Sequence, residues 1–217
     1  MNVVLDNLPA FWNGFLTTLY LSVTAGIISL VVGVLLAAMR VSPLSTLRWV
    51  STAWVEVMRN TPLTLIFVFI SAVLLTMDIL IPIGRTQAIV ALSVYTSAFV
   101  CEAVRSGINS VGVGQAEAAR AIGLTGGQSL NLVVLPQALR TVVPPIINVL
   151  IAMIKNTSIA AGFATVELTS TARTLALGNP GPAALWIFVG IAVFYLALTV
   201  PSGLLANYIE RKVAFAR

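Results

Sequence analysis

An all-α membrane protein with five transmembrane helices is the fold class this sequence predicts, and three observations predict it. Of 217 residues, 59% are hydrophobic and only 9% charged, with a mean hydropathy of +1.01. Soluble domains carry about 25% charged residues, so a water-soluble enzyme of this size is excluded. The apolar residues fall into charge-poor runs of the length a helix needs to cross the hydrocarbon core of a bilayer. Finally, lysine and arginine are distributed unevenly between alternate connections, as expected of a multi-pass protein.

The elements follow in chain order. Asp6 and Arg40 enclose 33 uncharged residues, enough for a first span at about 13–39. Asp6, with no basic residue before that run, argues against a cleaved signal peptide. After Arg40, Ser42 is placed to cap a helix and Pro43 suits its first turn. Leu44, Leu47, Val50, Trp54 and Val57 then form an apolar stripe, with Arg48, Ser51, Thr52 and Arg59 mostly off it. This reads as a helix lying at the membrane surface. A second span fits 62–81, closed by Pro82 and Gly84, and a third fits 86–104, with Glu102 near its end. A fourth, interrupted by Lys155, is placed at 145–166, where Pro144 and Pro145 set an elbow at its start. A fifth lies at 183–205. Glu167 to Pro182, with its Gly178-Asn179-Pro180-Gly181-Pro182 cluster, reads as a connecting loop. Residues 1–217 thus form one membrane domain.

Placing the N-terminus outside and the C-terminus inside puts nine basic residues in the inner segments and two, Arg85 and Arg173, in the outer ones. The positive-inside rule therefore selects that orientation. It also accounts for the net charge of +5 without nucleic acid, because the bases are scattered singly rather than gathered on one face.

Catalytic chemistries are thin. With no histidine and one cysteine, Cys101, a Ser-His-Asp relay and a Cys/His metal cluster are both excluded. Neither lysine, Lys155 or Lys212, follows a Gly-rich loop, so the chain has no Walker-type nucleotide site of its own.

The inner connection 105–144 is the informative one. Gly107, Gly112 and Gly114 are expected to break the chain after the third span. A short helix over 115–124 follows, with Glu117 and Arg120 three apart, ending near Gly126-Gly127. A second apolar segment leads to Pro136. The pattern is a helix–turn–helix, either folded back on the membrane or presenting small alanines to a partner.

Glu117-Ala118-Ala119, Gly123, Val133, Leu135 and Pro136 are similar in spacing to the EAA loop of ABC importer permeases, with Val133 where that pattern prefers isoleucine. Arg59-Asn60-Thr61-Pro62-Leu63, Glu102 with Arg105-Ser106-Gly107-Ile108, and Lys155-Asn156-Thr157-Ser158 extend the likeness over nearly the whole chain. It resembles the polar-amino-acid branch and, within that, glutamate-uptake permeases. The resemblance implies the type I permease core with a cytoplasmic coupling helix, located in the plasma or inner membrane. It also implies three partners: an ATPase subunit dimer that binds ATP and Mg, a second permease subunit, and an extracytoplasmic substrate-binding protein. The loop residues Glu117, Ala118, Ala119, Arg120, Gly123, Leu135 and Pro136 would dock on the ATPase, and this chain would hold no cofactor. Small Ala118, Ala119 and Ala121 would let the partner pack closely, and Glu117 could pair with a base on it.

A translocation path is expected where polar side chains sit at membrane depth, since these are costly in lipid. The candidates are Asn60, Thr61, Thr64, Ser97, Lys155, Asn156, Thr157 and Ser158. Lys155 either lines that path or locks packing by pairing with a carboxylate, Glu102 being one possibility. Thr61 and Pro62 equally suit a helix start. Ala160-Ala161-Gly162 would allow close helix contact. A secondary transporter or small channel is the alternative class; it would favour repeats and intramembrane acids, neither of which is evident here.

Overall fold

The computed structural model describes residues 2–76 and 82–214, and the described residues contain helices and turns but no strand. A short helix α1 (Asn2–Asp6), absent from the sequence reading, precedes the first span α2 (Leu8–Arg40), which starts five residues earlier than expected. Helix α3 (Ser45–Asn60) turns through 106° into α4 (Leu63–Thr76). The last part of the predicted second span, 77–81, lies outside the described residues. The third span is α5 (Arg85–Asn109). Its connection to the fourth holds α6 (Val113–Ala121) and α7 (Gly126–Ser129). One π-helical turn (Leu130–Val134) leads from α7 into α8 (Leu135–Asn156), and a 3-10 helix (Thr157–Gly162) follows. Then come α9 (Leu168–Gly178) and the last span, α10 (Pro182–Ala214). By length and apolarity four helices can cross a membrane, and a fifth crossing is the bent pair α3–α4.

Helix α5 is the centre of the bundle, packed on α2, α8, α3 and α4. Leu21 and Ala25 of α2, Phe67 of α4, Leu92 of α5 and Met153 of α8 close one apolar cluster. Leu36, Ala37, Val55, Ala98 and Cys101 close another. Small residues make this packing possible, as expected where lipid removes most of the apolar driving force and close backbone approach supplies it.

Several expectations are corrected. Gly107 does not break the chain but lies inside α5, where a Cβ would overlap the side chain of Val142. It is a close-approach glycine rather than a stop. Helix α8 continues through Pro144 and Pro145. Their missing N–H groups leave the carbonyls of Arg140 and Thr141 without intrahelical donors; Arg140 and Pro145 are exposed and only Pro144 is buried. The fourth span, conversely, ends as an α-helix at Asn156 rather than at 166. The expected loop 167–182 contains α9, and α10 continues nine residues beyond 205.

Ser42 does not cap α3. Its hydroxyl accepts from Leu44 N (3.2 Å), and Leu44 holds the cap position. The predicted apolar stripe faces outward in part, as expected of a surface helix: Leu44, Val50 and Val57 are 61%, 43% and 55% exposed, whereas Leu47 and Trp54 are half-buried and Trp54 packs on the Ala98 cluster. Polar Ser51 is instead buried, donating to the Leu36 carbonyl (2.7 Å). Lipid rewards an apolar exterior, and a hydroxyl finds its partner only inside.

Candidate functional site

Three arrangements at successive depths carry the chemistry. The first is the elbow between α5 and α8. Helix α6 ends in a Schellman motif: Leu124 N bonds to the Ala119 carbonyl (3.1 Å) and Gly123 N to that of Arg120 (3.0 Å), with Gly123 at φ +92°. Only glycine takes that conformation at little cost. The stop thus comes before Gly126-Gly127, which instead open α7 behind a capping box between Thr125 and Gln128. Above the elbow α5 and α8 are clamped. Gly107 abuts Val142, and Thr141 Oγ1 lies 3.2 Å from the Gly107 carbonyl and 3.0 Å from Ser110 Oγ, each hydroxyl sharing its one proton with a carbonyl of its own helix (Ala138, 2.9 Å; Gly107, 2.7 Å).

Glu117, Ala118, Arg120, Ala121, Ile122 and Gly123 are exposed, Ile122 by 80%. Ala119 is not available to a partner; it is buried against the second segment, where Ser129 Oγ reaches the Ala116 carbonyl (3.4 Å). Arg120 bonds back to that same carbonyl (3.3 Å) and makes no ion pair with Glu117: all ion pairs among the described residues involve Glu102. Leu135 and Pro136 are exposed at the start of α8.

The second arrangement, legible in part from the three-residue spacing of Glu102 and Arg105, is a charge cluster at the elbow end of the bundle. Glu102 meets Arg40 of α2, Arg105 (2.8 Å) of its own helix and Arg59 (3.5 Å) of α3. The Arg59 guanidinium also lies over the Phe99 ring at 5.9 Å. One carboxylate thus ties three helices together. It is not the partner of Lys155.

The third arrangement is the break after α8. Antiparallel packing places Val142 beside Gly107 and Ala164 beside Gly84, so Lys155 lies roughly level with residue 94, about midway along α5. There the α-helix stops. Lys155 is exposed and Asn156 half-buried. Thr157 and Ser158 turn their hydroxyls back to the carbonyls of Ile154 (2.6 Å) and Lys155 (2.7 Å). Ala160 is buried in the core, Gly162 faces open space, and Ala164 takes φ +54°. Irregular backbone at membrane depth persists only in protein or beside a water-filled cavity.

The remaining candidates lie elsewhere. Asn60 is exposed and donates to the Glu56 carbonyl (2.8 Å), while Thr61 donates back to Val57 (2.7 Å) instead of forward into α4. Both sit at the α3–α4 bend beside Arg59, on the level of Glu102. Thr64 is exposed on α4. Ser97 is buried, accepting from Trp54 Nε1 (3.3 Å) and donating to the Val94 carbonyl (2.7 Å). The structure groups Lys155–Ser158 by sequence adjacency but does not bring Asn60, Thr61 or Ser97 to them.

One functional-looking group escaped the sequence reading. Glu167 is fully buried, caps α9 by accepting from Ser170 N (2.8 Å), and accepts from Tyr195 OH (2.8 Å) on α10. Burial raises its carboxyl above the ordinary range, against the lowering effect of these hydrogen bonds. The signal present was the Glu-x-x-Ser spacing.

Residues 29–215 match the model of the binding-protein-dependent transport system inner membrane component family. The chain belongs to that family. The permease is 40% identical to the probable glutamine ABC transporter permease GlnM of Bacillus subtilis, over 98% of this chain and 97% of the relative. It is 39% identical to the glutamate transport system permease GluC of Corynebacterium efficiens, over 95% and 93%. Against the glutamate/aspartate import permease GltK of Escherichia coli the figures are 31%, 97% and 96%. Among solved structures it superposes on an amino acid ABC transporter crystallised with histidines at a TM-score of 0.89, with 30% identity over 96% of both chains. A methionine ABC transporter in an inward-facing conformation shares the fold at a TM-score of 0.71 and 23% identity, covering 95% of each chain. The permease is an inner-membrane transport component of an amino-acid ABC importer, and the family implies an ATPase and a binding protein as its partners.

Proposed function

We propose that the permease forms the translocation path for glutamate or a closely related polar amino acid, and that its elbow docks into a groove on an ATPase subunit dimer. The observation that carries this reading is the exposed end of α6, presenting Glu117, Ala118, Arg120 and Gly123 from a base clamped to α5 and α8. Such an elbow transmits displacement as a rigid lever instead of absorbing it. ATP and Mg belong to the ATPase; its closure would draw the elbows of two permease subunits together. Helix α8 would carry that movement to the break at Lys155. The second permease subunit, identical or related, completes a path that five spans are too few to enclose, and an extracytoplasmic binding protein delivers the cargo.

Within that path Lys155, Asn156 and Ser158 are the assigned lining, with Asn60, Thr61 and Thr64 nearer the elbow end; Thr157, also expected there, is fully buried and packs inside the subunit. A cation at mid-depth suits a carboxylate. The choice of glutamate rests on the names of the relatives rather than on Lys155, because every amino acid carries a carboxylate.

The test is reconstitution with the ATPase and binding protein in vesicles. Glutamate should stimulate ATP hydrolysis and accumulate, whereas Gly123→Asp and Glu117→Lys should abolish transport with membrane insertion intact. Normal transport by both variants refutes the docking assignment; stimulation by an unrelated amino acid alone refutes the cargo.

A further inference from the structure

At the end of the bundle opposite the Glu102 cluster, two adjoining cavities share Asn13, Thr17 and Arg85. One, of about 340 Å³, runs between α2 and α9 and adds Thr171 and Thr174. The other, of about 520 Å³, opens on the outer face of α2 beside Leu16 and Tyr20, which are 45% and 51% exposed. Among the described residues lining either cavity none is acidic; the polar groups are one guanidinium, one amide and four hydroxyls, those of Thr17, Tyr20, Thr171 and Thr174.

The local sequence builds this arrangement. Gly84 at φ +102° ends the turn before α5 and sets Arg85 on its first residue, where the helix dipole adds positive potential. Arg85 Nη2 then donates to Thr17 Oγ1 (3.3 Å), which draws the guanidinium across α2. Gly14 lets α9 approach: a Cβ there would lie 2.9 Å from Thr171 Oγ1.

Depth decides the ligand. Arg85 stands about 26 Å along α5 from Glu102, close to the thickness of a hydrocarbon core. A bilayer whose one headgroup layer meets the Glu102 cluster therefore has its other at Arg85. Tyr20 fits that level as an interfacial aromatic. We propose that this cleft holds the phosphate of an anionic phospholipid, with Arg85, Asn13 and the threonines around the oxygens and the acyl chains lying along Leu16 and Tyr20. The lipid would brace α9 against α2 and α5.

The purified full-length permease, titrated with phosphatidylglycerol in detergent and read by native mass spectrometry, tests this. One tightly retained lipid per chain is expected, with apparent affinity falling about fivefold in Arg85→Gln, the loss of one interfacial charge contact. Asn13→Leu should weaken it less, and Arg85→Lys should restore most of it, which separates loss of the site from misfolding. Inorganic phosphate and L-glutamate are added in parallel arms. Displacement of the lipid by millimolar glutamate or phosphate overturns the lipid assignment, and retention unchanged in both Arg85→Gln and Asn13→Leu overturns the site.

Discussion

The permease handles its two well-placed carboxylates in opposite ways. Glu102, at the elbow end, is met by Arg40, Arg59 and Arg105 and joins α2, α3 and α5 by charge. Glu167, near the far end, is fully buried with no cation within ion-pair distance among the described residues, and its partners are Ser170 N and Tyr195 OH. At an interface with headgroups and water nearby, charge can be balanced by charge. Where water is excluded, hydrogen bonds must satisfy the carboxyl, and burial raises its affinity for a proton. The first arrangement tethers helices around the lever, whereas the second fixes α9 to α10.

The largest expected effect severs the clamp that links the lever to the path. Gly107→Leu drives a side chain into Val142 and should cost about 3 kcal/mol or more, read as a lower thermal midpoint in detergent with loss of coupled transport. Glu102→Gln comes next. It leaves three arginines without their counter-charge, and about 2 kcal/mol of stability should be lost, with tryptic cleavage at Arg59 accelerated. Glu167→Gln sharpens the contrast, because an amide resembles the protonated carboxyl: the expected cost is only about 1 kcal/mol, on the scale of Tyr195→Phe. If Glu167→Gln instead costs more than Glu102→Gln, the assignment of charge to one and hydrogen bonding to the other is wrong.

The smallest effect is a pH slope. Burial raises the Glu167 carboxyl above the ordinary carboxylate value of about 4.5, so the folded state binds the proton more tightly than the unfolded chain. Its contribution is therefore full below about pH 4.5 and is lost as pH rises through the raised value. Thermal midpoints measured across that interval should fall in the wild type relative to Glu167→Gln.

How much was legible in the residues varies by region. The helical spans were readable because lipid imposes length and apolarity locally, and the elbow was readable as a short helix and turn; its stop, expected near Gly126-Gly127, falls at Gly123, where the chain needs a left-handed residue. The apolar stripe of α3 was readable as a membrane-facing surface, but that Ser51 and Trp54 turn inward to Leu36 and Ser97 was not. Periodicity reports that two faces differ, and in a bilayer the apolar one can be the outer one, as Leu44 and Val57 are here. Propensity is local and reads Gly107 as a break and Pro144-Pro145 as an elbow; packing against Val142 overrides the first, and α8 continues through both prolines. Glu167 was assigned to a loop, since a single acid in a turn-rich stretch carries no sign of the tyrosine 28 residues later that receives it into the core.

By itself the sequence determined the membrane class, the five-span plan and the lever's composition, for these follow from desolvation costs paid residue by residue along the chain. Tertiary structure alone decided which arginines share Glu102, where α8 stops at mid-depth, and how Arg85 reaches Thr17. Each depends on side chains distant in sequence meeting across helices, and that geometry is fixed by close packing at small residues rather than by any local pattern.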